Sequence, residues 1–124
     1  MSDSFTPLSN DPVENALLSL AIEGWRFSRA YLRLISKIEV SEQNRFFSQC
    51  RYFQKQIEEK VGEIGYKLVN IEGHPFEPGI AATALNIADF MPDDNLVVEQ
   101  MLEPVITNEN GIVKMGTVLL RKGE

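Results

Sequence analysis

The chain has one cysteine and one histidine in 124 residues. A lone thiol excludes an intrachain disulfide framework and a multi-cysteine metal site, so a reducing cytoplasm is the expected compartment. Cys50 falls inside a helical pattern, where a small, wholly or partly buried packing residue is expected. No apolar run is long enough to cross a membrane, and the polar Met1–Asn10 stretch lacks the basic and hydrophobic parts of a secretory signal. No phosphate-cradling loop, dinucleotide fingerprint or helical metalloprotease pair occurs. Positive charge is also scarce: the net charge is −6, which does not fit a general nucleic-acid binder. The deficit is uneven. Residues 1–62 carry eight basic and eight acidic side chains, whereas 63–124 carry four and ten.

What is present is a change of pattern near Gly62. Before it, after a flexible lead-in over 1–10, the sequence reads as a helical dimerisation arm over 11–64; after it, a β-rich interaction head spans 65–124. The expected fold class is α+β, with either a long N-terminal helix or a two-helix arm carrying a small C-terminal β-rich head. Asp11-Pro12-Val13-Glu14 supplies a helix start: Asp11 accepts an end amide, Pro12 takes the tolerant first position and Glu14 completes the cap. Val13, Leu17, Leu20, Phe27, Tyr31, Leu34 and Ile38 then form an apolar stripe in steps of three or four, weakened locally at Gly24. Ser41 offers a second start, after which Cys50, Phe53, Ile57, Val61 and Ile64 continue a similar stripe.

One continuous helix of about 50 residues would reach about 75 Å and need a partner helix along its length. A homodimer with a coiled seam supplies that partner, and the expected dimerisation residues are Leu17, Leu20, Phe27, Tyr31, Leu34, Ile38, Phe53 and Ile57. A compact hairpin turning around Val40 and Ser41 buries the same stripe, and the spacing does not choose between the two.

In the head, Tyr66–Glu72 reads as a strand entering a turn over Gly73–Gly79, where Pro75 and Pro78 restrict the backbone around Phe76. Ile80–Phe90 fits a short helix or an extended segment. Leu96–Thr107 reads as a strand of imperfect alternation. Asn110-Gly111 marks a tight turn, and Ile112–Leu120 returns as a strand with a bend or close packing at Gly116.

Taken together, Arg51–Ile64 followed by Gly65, the run Gly73-His74-Pro75-Phe76-Glu77-Pro78, Val97–Ile106 and Gly111–Val118 resemble GrpE, the nucleotide-exchange cofactor of a heat-shock chaperone. The resemblance follows element order over much of 13–122 and is most specific in the head. It implies a homodimer whose paired helices position a β-rich head against the chaperone's ATPase domain, opening the nucleotide cleft and speeding ADP release. The partner holds the nucleotide, so no catalytic residue, cofactor or metal is expected on this chain. It also implies Phe76, Leu96, Val98, Met101 and Ile112 as partner-binding or head-core residues, with Gly73, Pro78 and Gly111 holding turns. Two dipeptides depart from the family's pattern. Ala81-Ala82 stands where histidine and glutamate are common, and Glu103-Pro104 replaces a glycine-aromatic step. The alternative is a noncatalytic interaction or assembly adaptor that has lost exchange activity.

Arg26, Arg29, Arg33 and Lys37 form a basic ridge beside Trp25, expected to be a solvated or intersubunit ionic face rather than a nucleic-acid site. His74 is expected in turn packing or on the surface, and Asp93 and Asp94 in solvent, because neither has the neighbours that acid–base or metal chemistry requires.

Overall fold

The computed structural model describes residues 8–123, so most of the expected flexible lead-in lies outside the described residues. The chain divides into two units at Gly65/Tyr66. The first unit holds α1 (Pro12–Ile35) and α2 (Val40–Glu63). Residues 8–10 are tied to α1: Leu8 N and Ser9 N donate to Asn15 Oδ1 at 2.9 and 2.7 Å. Asp11 caps α1 by accepting from Val13 N at 2.9 Å, with Pro12 at the first position. The expected reciprocal role of Glu14 runs through Ser9, whose hydroxyl donates to Glu14 Oε1 at 2.7 Å and accepts from Asp11 N at 3.1 Å.

The arm is a hairpin. No proline occurs from 13 to 74 and no glycine from 25 to 61, so the break at 36–39 has no residue that forces it. Nor is Ser41 its cap: α1 ends at Ile35 with Ser36 as C-cap, and Glu39 precedes α2 without a side-chain cap bond. Gln43 supplies the closure instead, its Nε2 donating to Ile38 O at 3.1 Å and Ser36 O at 3.4 Å. These carbonyls lie just beyond the last turn of α1, where the chain leaves the helix.

The helices run antiparallel, with Gln43 near Ser36, Cys50 and Gln54 on Ser28, and Ile57 beside Gly24. The buried residues of the hairpin are Leu18, Ala21, Ile22, Trp25, Ser28 and Ile35 of α1 and Cys50 and Val61 of α2. Trp25, beside the basic ridge in sequence, is therefore a core residue.

The second unit contains β1 (Lys67–Val69), β2 (Ala82–Ala84), a 3-10 turn (Ile87–Asp89), β3 (Leu96–Glu103), β4 (Val105–Asn108), β5 (Gly111–Lys114) and β6 (Gly116–Lys122). They form two three-stranded sheets, ordered β1-β4-β5 and β2-β6-β3, antiparallel except for β2 beside β6. The expected Tyr66–Glu72 strand is only three residues long. Chain from Gly73 to Phe76 instead lies along β3: Gly73 N donates to Val98 O, Val98 N to His74 O, and Phe76 N to Leu96 O at 2.8–2.9 Å. Gly73 enters this stretch at φ +87, a conformation that excludes most side chains.

Two long strands expected from the sequence each break once. Pro104, buried and without an N–H, separates β3 from β4, and Met115 separates β5 from β6. Because Glu103 pairs with Thr117 and Ile106 with Lys114, both strands change sheet at one corner. Gly116 makes that corner possible: a Cβ there would meet Met101 Cε at 2.7 Å, and Glu103 O and Val105 Cγ2 at 3.1 Å.

Candidate functional site

The helical unit leaves uncovered the stripe that its periodicity marks for association. Leu20, Phe27, Leu34 and Phe53 are exposed, Leu20 to 71% and Phe27 to 67%, and Leu17, Tyr31, Ile38 and Ile57 are half-buried. None of the eight is buried, although Ile57 packs on Gly24 across the hairpin. Most of the α1 positions precede a seam position by one residue, as Leu17 precedes Leu18, Leu20 precedes Ala21, and Leu34 precedes Ile35. One residue turns a helix by about 100°, so α1 carries two apolar faces, one closed on α2 and one open.

The open face is a groove between α1 and α2, of about 540 Å³, floored by Leu17, Gly24 and Ile57 with Leu20, Phe27 and Phe53 along it. Gly24 does more than interrupt the stripe. Without a side chain it admits Ile57, whose Cδ1 lies 2.7 Å from where a Cβ would stand. A smaller recess of about 220 Å³ continues the groove past Phe27 and Phe53 to Tyr31 and Cys50. Phe27 and Tyr31 stack along it, ring centroids 6.2 Å apart at 14°. Charge sits only at the rim, with Glu23 from α1 and Lys60 from α2 lining the same stretch. An exposed apolar cleft between two helices has the character of a packing surface for apolar side chains.

Behind the groove the seam carries a polar layer. Ser28 Oγ donates to Trp25 O at 2.8 Å and accepts from Gln54 Nε2 at 3.0 Å, while the Cys50 thiol donates to Ser28 O at 3.6 Å. Burial pushes the Cys50 thiol above its ordinary pKa, against the opposing charges of Arg29 and Arg51. On the basic ridge, Arg26 lies 3.5 Å from Glu23, and the Arg29 guanidinium stands 5.3 Å from the Trp25 ring centroid.

In the head, the residues implied as partner-binding separate. Val98 and Met101 are core residues at 1% and 0% exposure, Phe76 and Leu96 are half-buried, and Ile112 is exposed. Met101 Sδ also accepts from Ile71 N at 3.1 Å. Two acidic side chains serve the fold: Glu72 Oε2 accepts from Met101 N at 2.8 Å, and Asp94 Oδ2 accepts from Met91 N at 2.9 Å. His74 and Asp93 are exposed. The two departures from the resembling family are likewise built in. Glu103 Oε1 accepts from Lys114 Nζ at 2.8 Å and Thr117 Oγ1 at 3.3 Å, and Ala82 pairs with Gly116 where two small residues allow close strands.

Among the described residues no group of three His, Cys, Asp or Glu is placed to hold a metal ion, and no helix is long and apolar enough to cross a membrane. No family model, curated protein or solved structure matches the chain.

Sequence reasoning missed the stretch from Leu85 to Met91, where Leu85, Ile87 and Met91 are all exposed. Its signal is apolar residues interleaved with aspartate in a segment that pattern alone leaves between helix and strand.

Proposed function

We propose that this is a noncatalytic interaction protein that works as a homodimer, joined through the apolar grooves of its helical hairpins. Its head then binds the ATPase domain of a heat-shock chaperone and promotes ADP release, as the resemblance to GrpE implies. The observation that carries the reading is the open second face of α1, whose exposed Leu20, Phe27 and Leu34 recur at seven-residue intervals. That face suits a second copy. A two-fold axis along the groove lays α1 of one copy over α2 of the other, running in opposite directions at the same height. Glu23 then stands opposite Lys60, because both line the same stretch of groove.

The test begins with light scattering of the purified chain. We expect a dimer, and a monomer of unchanged helicity for Leu20→Ser with Phe27→Ser. Each buried apolar side chain contributes about 1.5–3 kcal/mol, so the double variant should raise the dimer dissociation constant by about 100-fold or more. A wild-type monomer at all concentrations would overturn the assembly. The second measurement is ADP release from a purified chaperone: acceleration supports exchange, and binding without acceleration supports the adaptor alternative.

A further inference from the structure

The head's exposed apolar side chains fall in two places, and they differ in what surrounds them. Ile112 and Met115 flank Lys114, whose charge is met by Glu103 at 2.8 Å. Leu85, Ile87 and Met91 lie within seven residues and are 62%, 48% and 66% exposed. Their exposure does not come from a loose loop. Leu85 N donates to Val118 O at 3.0 Å. The Asn86 side chain then takes the place of a strand residue, its Oδ1 accepting from Leu120 N at 2.9 Å and its Nδ2 donating to Leu120 O at 3.0 Å. The 3-10 turn closes as Phe90 N donates to Ile87 O, and Met91 N is held by Asp94 Oδ2. Asp94 is in turn 3.9 Å from Lys122 Nζ.

A segment whose backbone is pinned at these points holds three large apolar side chains in water, so its backbone need not be ordered on binding, which removes one of the usual costs of association. Its own charge is negative, with Lys122 of β6 beside it at Asp94. Residues 85–95 contain three aspartates and no lysine or arginine. Asp94 is engaged, whereas Asp89 and Asp93 are exposed and form no ion pair among the described residues.

We infer that the Leu85–Met91 segment is the head's docking surface for the chaperone ATPase domain, entering an apolar recess rimmed by lysine or arginine. This rests on the chaperone reading above and relocates the contact from Val98 and Met101, which are closed inside the head, and from Ile112. The apolar side chains set how long the complex lasts, with the unbranched Met91 adapting to the recess. Asp89 and Asp93 steer the encounter and make it sensitive to salt.

The test is calorimetric and stopped-flow binding of the full chain to a purified, nucleotide-free chaperone ATPase domain at low and high salt. Three variants are compared with the wild type, each checked for an unchanged melting temperature: Leu85→Ser with Met91→Ser, Asp89→Lys with Asp93→Lys, and Ile112→Ser. We expect the apolar pair to weaken binding about 100-fold through faster dissociation. The charge pair should slow association about tenfold and flatten its salt dependence, and Ile112→Ser should stay within about twofold. Loop variants that bind like the wild type, or loss of binding in Ile112→Ser alone, overturn the inference and leave the chaperone reading standing. A wild-type chain that does not bind overturns the chaperone reading, and the inference with it.

Discussion

Ser28 and Cys50 show how a short side chain sets the register of a helical seam. Ser28→Ala removes the acceptor of the Gln54 amide and should cost about 1 kcal/mol, read from the midpoint of denaturant unfolding. Cys50, 3% exposed, should react with a thiol reagent in the native protein only as fast as the hairpin opens. Its raised pKa has a definite consequence for stability. Below the ordinary thiol pKa of about 8.5 the group is protonated folded or unfolded, and pH leaves its contribution unchanged. Above that, the unfolded chain loses the proton first, so stability falls as pH rises, until the native thiol also ionises. Cys50→Ser or Cys50→Ala should flatten this alkaline decline. That Cys50 packs internally was legible from its place in a helical pattern. The fate of Met101 was not, because a β residue's face depends on every bulge before it.

At the scale of elements, β3 explains its own irregular pattern. Its register shifts between Val98 and Gln100 and again between Met101 and Glu103, so Val98 and Met101, three apart, both turn inward. Simple alternation would put them on opposite faces. The corner where both long strands change sheet depends on Gly116. Gly116→Ala should destabilise the head by about 1–3 kcal/mol, since the new methyl group meets the Glu103 carbonyl as well as two side chains. A thermal melt of the variant checks this. A bend or close packing at Gly116 was expected from the sequence, but the matching break at Pro104 gains its meaning only when the two strands are seen paired. The helices pose a different difficulty. Periodicity found an apolar face on α1, yet α1 has two, offset by one residue, and nothing local says which one meets α2.

For the whole molecule, the α+β class and the order of helices before strands were legible, because the change of hydrophobic period near Gly62 is abrupt. The choice between a long helix and a hairpin was not, since the turn at 36–39 holds neither glycine nor proline and is closed from a distance by Gln43. If the grooves pair as proposed, the double change at Leu20 and Phe27 should remove dimerisation and leave the head's melting transition in place, a separation visible by calorimetry. The turn also has a kinetic side. If the segment from Pro12 to Glu63, whose turn is latched by Gln43, straightens into one helix, α1 of one chain takes its seam on α2 of another. Chains refolded at high concentration should then include a helix-exchanged dimer that returns to the hairpin form only slowly on dilution, and Gln43→Ala should enlarge that population.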